Sequence, residues 1–167
     1  MSKRFRQYTG ILASVIAYYM IHEGAHLVTA LYYGVFRKIN IMGLGMQIDV
    51  YAERMTNTQL GIFCLAGTVS TLFFGWLLIA LAKKICRAKS KLFKAVMWYV
   101  TLAILLIDPV YLSILCGIFG GGDMNGIRLL MPEPAARIAF ALIGMIHGIT
   151  IRKYLLPEYT KAFHKED

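Results

Sequence analysis

Two histidines and a glutamate stand close together near the start of the chain, in the segment His-Glu-Gly-Ala-His at residues 22–26. On a helix, His22 and His26 lie one turn apart on the same face, where both imidazoles can reach one Zn²⁺ ion. Glu23 is offset from His22 by about 100° around the helix, so we expect it to be a general base rather than a ligand. The HExxH spacing therefore predicts a zinc site that activates water.

A catalytic zinc ion usually has three protein ligands and one open position, so one ligand remains to be found. Asp123 follows three glycines and precedes Asn125-Gly126, a turn that can fold back toward a buried cavity. Asp108 stands in an apolar run and is followed by Pro109, where a helix is expected to bend. Both carboxylates are candidates, and Asp108 has a buried hydrogen-bonding role as its alternative.

The composition indicates that this predicted site lies in a membrane protein. The chain has 167 residues, of which 58% are hydrophobic and 16% charged, whereas soluble domains have roughly 25% charged residues. Four apolar stretches, at about residues 10–33, 59–82, 92–118 and 135–152, are long enough to span a membrane. We expect an all-α polytopic membrane protein, a single domain over residues 1–167. The first stretch is too long for a signal peptide and is expected to be a retained helix.

Basic residues collect at the ends of the apolar stretches, and the net charge is +9. Thirteen of the 18 Lys and Arg residues fall within residues 3–6, 83–94 and 152–165, which four spans would place on one side of the membrane. The positive-inside rule assigns that side, with both termini, to the cytoplasm. These clusters favour contact with the lipid bilayer rather than with nucleic acid, and the short loops suggest a prokaryotic cytoplasmic membrane.

The segment between the first two spans has a different pattern. Apolar residues alternate there with polar ones, with a break near Met42-Gly43, and period-two alternation is typical of β-strands. We predict a short membrane-associated β-hairpin at about residues 36–51, near the histidines. Its open edge could pair with an extended peptide, or the hairpin could simply cap the helix ends, and both interpretations stay open.

Three features together resemble the site-2 protease family of intramembrane zinc metalloproteases, as a minimal or divergent member. They are the His22–His26 motif in a membrane helix, the β-patterned segment after it, and the Asp-x-x-Gly-like turn Asp123-Met124-Asn125-Gly126. A downstream aspartate is the third zinc ligand in that family, and the resemblance gives this role to Asp123. Residues 66–71 occupy the place of an Ala-Gly-Pro-x-x-Asn-like motif, with Thr68 for Pro and Thr71 for Asn.

The resemblance implies cleavage of a membrane-spanning or membrane-associated protein or peptide. Glu23 would be the general base, and Asn125 could donate a hydrogen bond to the substrate backbone or to an oxyanion, with a simple turn role as its alternative. A function of a different class is a catalytically silent relative that binds membrane peptides as a chaperone or regulator. The presence of Glu23 favours the enzyme, because a silent relative has no need of a base.

Overall fold

The fold is a bundle of membrane-length helices with one β-hairpin. The computed structural model describes residues 2–42, 45–120 and 122–164. Within these ranges, four helical segments are long and apolar enough to cross a membrane, and a two-stranded antiparallel hairpin lies between the first and second of them. The predicted fold class is therefore confirmed. The four segments are Lys3–Tyr32, Asn57–Cys86, Lys91–Ile118 and Glu133–His164.

Side-chain caps define where the first three long helices begin. These helices are α1 (Lys3–Tyr32), α2 (Asn57–Cys86) and α3 (Lys91–Val110). The hydroxyls of Ser2, Thr56 and Ser90 each accept a hydrogen bond from a backbone N–H three residues later, which satisfies a donor that the first helical turn leaves unpaired. Because of the cap at Ser2, α1 begins well before the apolar run that starts near residue 10.

The helix after Asp108 does not stop at its proline. The chain continues through a π-helical turn at Tyr111–Leu115 and the short helix α4 (Cys116–Phe119). Pro109 has no N–H to offer the carbonyl of Leu105, and that carbonyl instead accepts a hydrogen bond from Nδ1 of His147 at 2.7 Å. Since His147 is fully buried, this bond joins the last long helix to α3 inside the bundle.

The last membrane-length segment is longer than the predicted span at residues 135–152. After the short helix α5 (Met124–Ile127), it comprises α6 (Glu133–Thr150), a π-helical turn at Ile151–Leu155, and α7 (Leu156–His164). Arg152 and Lys153 interrupt the apolar pattern, but both are exposed and stay helical because their charged ends remain outside the packed core.

The hairpin consists of β1 (Phe36–Met42) and β2 (Gly45–Val50). The strands are antiparallel, with Ile39 opposite Ile48, and a register irregularity lies between Phe36 and Lys38. Gly43 and Leu44, which include part of the predicted break, lie outside the described residues. Ile48 is buried, so one face of the hairpin packs against the bundle.

The two ends of the bundle differ in charge. The start of α1, the end of α2, the start of α3 and all of α7 meet at one end, where Lys3 and Lys91 line one cavity and Lys83 and Lys161 line another. We call this the basic end, and the hairpin lies at the opposite end of α1. Between them the outer faces carry exposed apolar side chains such as Leu12 and Phe73, as expected where helices contact lipid.

Candidate metal centre

The two histidines of α1 point toward the same spot. His22 and His26 are both buried, and their Nε2 atoms lie 3.1 Å apart. They stand one helical turn apart, so the regular geometry of α1 is enough to bring the rings together. The ring centroids are 4.8 Å apart and the planes are tilted by 71°, which lets both nitrogens face a common point.

Asp123 completes a triangle with these nitrogens. Its Oδ2 lies 3.0 Å from Nε2 of His22 and 3.4 Å from Nε2 of His26. A tetrahedral zinc ion with bonds of about 2.0–2.1 Å needs ligand atoms roughly 3.3 Å apart. The three atoms are therefore spaced as three corners of such a site, and two imidazoles with one carboxylate are a donor set that suits zinc.

The short helix α5 brings Asp123 to the histidines by packing closely on α2. At Gly126, an added Cβ would lie 2.7 Å from Cβ of Cys64 and 3.0 Å from the carbonyl oxygen of Leu60, so only glycine allows this approach. Gly122 has a φ of +41°, which favours glycine on the other side of Asp123. Gly121 lies outside the described residues.

The ionisation of Asp123 suits a ligand role. Burial opposes the charged form, but hydrogen bonds with His22 and His26 outweigh it and lower the pKa of the Asp123 carboxyl to about 2. Asp123 is therefore a carboxylate near neutral pH, and the carboxylate is the form that binds metal ions.

The Nδ1 atoms of both histidines form hydrogen bonds on the side of each ring that faces away from Asp123. Nδ1 of His26 lies 2.8 Å from the carbonyl oxygen of Phe63, to which it can only donate. Nδ1 of His22 lies 3.2 Å from Oδ2 of Asp108. A hydrogen bond donated by Nδ1 fixes the ring and leaves Nε2 available to a metal ion. Each Nε2 donates to Asp123 while it is protonated and would direct a lone pair to the same place once a metal ion has displaced that proton.

Asp108, the alternative ligand, lies on the opposite side of the His22 ring from Asp123. It is buried and accepts hydrogen bonds from the hydroxyls of Tyr18 and Thr71. A buried carboxylate needs such partners to offset its desolvation. Thr71 was expected only as the residue in the place of the motif's Asn, without a contact to Asp108. Tyr18 was not predicted, although it is four residues before His22 and so shares its helix face.

Glu23 is held by the hairpin. Its Oε2 accepts a hydrogen bond of 3.1 Å from the backbone N–H of Ile48 in β2, and the side chain is buried. Ligand atoms of His22, Glu23 and His26 all lie within 4.8 Å of one another. The hairpin thus fixes the carboxylate next to the two imidazoles.

Gly67 of α2 faces the histidines directly. An added Cβ would lie 2.6 Å from Nε2 of His26 and 2.7 Å from Nε2 of His22, closer than real Cβ contacts. This glycine therefore makes room for the two rings. The sequence singled it out only as part of residues 66–71, without a steric role.

A cavity of about 410 Å³ opens beside this cluster. His22, Glu23, His26 and Asp123 line one side of it, and β2 residues from Gly45 to Ile48 line another. Asn125 is exposed and is not one of the described residues that line this cavity. The cavity gives the cluster room for water and for an extended chain segment next to β2.

Comparison with protein-family models, with curated proteins and with solved structures finds no match for this chain. The resemblance to the site-2 protease family therefore rests on the sequence motifs alone and stays a hypothesis.

Proposed function

We propose that this protein is a zinc-dependent endopeptidase that hydrolyses peptide bonds in or near membrane-spanning segments. The observation that carries the proposal is the convergence of Nε2 of His22, Nε2 of His26 and Oδ2 of Asp123, no pair more than 3.4 Å apart. His22 and His26 belong to α1, one of the helices long and apolar enough to cross a membrane. Ionisable groups in such helices are costly and usually functional.

Each residue has a role in this scheme. His22, His26 and Asp123 would hold the zinc ion, which lowers the pKa of a coordinated water to near 7 and polarises the scissile carbonyl when bound. Glu23 takes a proton from the attacking water and delivers it to the leaving amine. Asp108 is a positioning residue, because it holds His22 through Nδ1.

The substrate class follows from the cavity and its surroundings. A helix in a membrane hides its carbonyl groups in hydrogen bonds, so a substrate must be extended before it can react. β2 lines the cavity beside the metal cluster and could bind such a segment by strand pairing. We therefore propose a membrane-spanning or membrane-associated protein or peptide as the substrate.

The first test of the proposal is zinc binding by the detergent-purified protein. We expect about one zinc ion per wild-type chain, since three ligands converge at one site. Asp108→Asn is expected to weaken zinc binding by about 10–100-fold, the usual effect of losing a group that orients a histidine ligand. Asp123→Ala removes a ligand and is expected to have a larger effect. Competition with a chromophoric chelator measures each affinity.

The matched control for this test is Asp49→Asn. Asp49 is a hairpin carboxylate that pairs with Arg37 at 3.5 Å, and its replacement is expected to leave zinc affinity unchanged. If Asp108→Asn loses zinc as completely as Asp123→Ala, Asp108 is a ligand and our assignment is wrong. No specific zinc in any form would overturn the proposal and favour a peptide-binding membrane protein without catalysis.

We further propose that the basic end faces the cytoplasm of a prokaryotic cell, with both termini on that side. The positive-inside rule supports this orientation, because residues 3–6, 83–94 and 152–165 carry 13 of the 18 Lys and Arg residues. A fluorescent protein fused after residue 167 is expected to fold and fluoresce, and alkaline phosphatase fused there is expected to be inactive. The reverse pattern would contradict the orientation.

A further inference from the structure

A tyrosine directly after α3 reaches the backbone that leads to Asp123. Tyr111 is the first residue of the π-helical turn Tyr111–Leu115, and it lines the cavity beside His22 and His26. Its hydroxyl donates a hydrogen bond of 2.8 Å to the carbonyl oxygen of Gly120. π-helical turns inside longer helices are frequent at functional sites. Tyr111 thus links the third membrane-length segment to the residues just before a proposed zinc ligand.

The same hydroxyl lies against the residue that directly precedes Asp123. A Cβ added at Gly122 would lie 2.7 Å from the Tyr111 hydroxyl oxygen, whereas the ring atoms Cζ and Cε1 would lie at 3.5 and 3.6 Å. The hydroxyl alone therefore leaves no room for a side chain at this position. Since it also binds the Gly120 carbonyl, Tyr111 holds the backbone before Asp123 at two points.

The backbone before Asp123 needs such an anchor, because glycine loses more conformational freedom on ordering than any other residue. Gly120 has a φ of +93°, and a Cβ added there would meet nothing within 4 Å, so close packing does not hold this residue in place. After Asp123, the close approach of Gly126 to α2 fixes the helix α5. Asp123 therefore lies between two anchors, and the Tyr111 hydroxyl is the one that precedes it.

We propose that Tyr111 is a positioning residue that holds the Asp123 carboxylate at the zinc site. This inference rests on the proposed function, because it takes Asp123 to be a zinc ligand. Without the hydroxyl, the backbone before Asp123 can adopt other conformations, and metal binding must then order it at a cost in conformational entropy. Asp108 orients a histidine ligand through its ring nitrogen, whereas Tyr111 orients the carboxylate ligand through its backbone.

Tyr111→Phe tests this inference, because it removes the hydroxyl and keeps the ring. We expect the zinc affinity of the full-length protein to fall about 3–10-fold, the contribution of one neutral hydrogen bond. We also expect the absorption bands of the Co²⁺-loaded protein to change, since they report the coordination geometry of the ion. A merely structural hydrogen bond would affect only the melting temperature. The matched control is Tyr19→Phe in α1, which removes another tyrosine hydroxyl beside the cavity and is expected to bind both ions like the wild type.

A double-mutant cycle with Gly122→Ala shows whether the hydroxyl acts at this point of the backbone. In the wild-type background the added methyl group meets the hydroxyl oxygen at 2.7 Å, and zinc affinity is expected to fall more than about tenfold. In the Tyr111→Phe background the nearest ring atom would lie 3.5 Å away, so the loss is expected to be at least about threefold smaller. The strain of alanine at a φ of +41° is common to both backgrounds and cancels in the cycle.

Two results would overturn this inference and leave the proposed function standing. The first is a wild-type zinc affinity and wild-type Co²⁺ bands in Tyr111→Phe, even if its melting temperature is lower. The second is an equal loss of zinc affinity from Gly122→Ala in both backgrounds, and if Gly122→Ala does not fold, Tyr111→Phe alone decides. Absence of specific zinc and Co²⁺ binding by the wild type would instead overturn the proposed function together with this inference.

Discussion

Glu23→Gln is expected to lower peptide hydrolysis by about 10²–10⁴-fold, the usual contribution of a general base, while zinc affinity stays close to that of the wild type. The physical reason is that Glu23 lies next to His22, His26 and Asp123, the three proposed zinc ligands, but is not itself one of them. The replacement keeps the shape of the side chain, and its amide oxygen can still accept the hydrogen bond that Ile48 donates. Only the ability to take a proton from water is removed.

The measurement compares vesicles that contain the wild-type protein or Glu23→Gln, each mixed with membrane proteins extracted from the expressing cells. New peptide N-termini are mapped by mass spectrometry after a fixed time. The wild type is expected to produce N-termini in or near membrane-spanning segments, and zinc chelation is expected to stop their formation. Glu53→Gln is the matched control, because Glu53 is exposed in the turn after the hairpin and is not among the described residues that line the cavity beside His22 and His26.

The zinc content of the same samples distinguishes the possible failures. If Glu23→Gln loses zinc, the carboxylate is a ligand and the base assignment is wrong. If wild type and Glu23→Gln both hold zinc but produce the same N-termini, cleavage does not depend on this base. If both hold zinc and neither cleaves, the catalytically silent binding protein becomes the better account.

Gly67→Ala is expected to weaken zinc binding by more than about 100-fold, which exceeds the usual effect of disturbing a single supporting group. The added methyl group would lie 2.6–2.7 Å from the Nε2 atoms of His26 and His22. Both rings must then turn or shift, because the α2 backbone cannot retreat without moving its whole packed face. Two ligands are displaced at once by a change that touches no ionisable group.

The control for Gly67→Ala is Gly75→Ala, the same substitution two turns later in α2. There the added methyl group meets Cδ2 of Leu105 at 2.7 Å, the far end of a side chain that can adjust. Both variants are expected to lose some stability through overpacking, about 1–3 kcal/mol, but only Gly67→Ala should lose zinc. Equal zinc affinities would contradict the steric role of Gly67, and thermal unfolding followed by circular dichroism would report the stability change.

The sequence was sufficient for the fold because the signals that define it are local. The four helices follow from long apolar runs, and the hairpin follows from alternation over a few residues, both of which are read within short windows. The predicted boundaries of the first and last helices were less accurate than the number of helices. α1 begins at Lys3 because Ser2 caps it, and the last segment continues through Arg152 and Lys153, so hydropathy alone placed both boundaries inside the true helices.

Local spacing predicts only part of the candidate metal site formed by His22, Glu23, His26 and Asp123. His22, Glu23 and His26 share one helix, so their spacing alone predicts their proximity. The contacts of His22 with Asp108 and Asp123 join residues 86 and 101 positions apart, and no local pattern states which carboxylate reaches which nitrogen. That choice depends on how closely α5 approaches α2 at Gly126, which is a property of the packed bundle rather than of any one segment.

The hydrogen bond between His147 and the Leu105 carbonyl implies that two distant positions do not vary independently. Pro109 deprives that carbonyl of its helical donor, and His147 supplies a replacement. Among related chains, a change of His147 to an apolar residue should be tolerated best where residue 109 has regained an N–H. The pair would then appear as correlated substitutions, even though neither residue is among those that line the cavity beside His22 and His26.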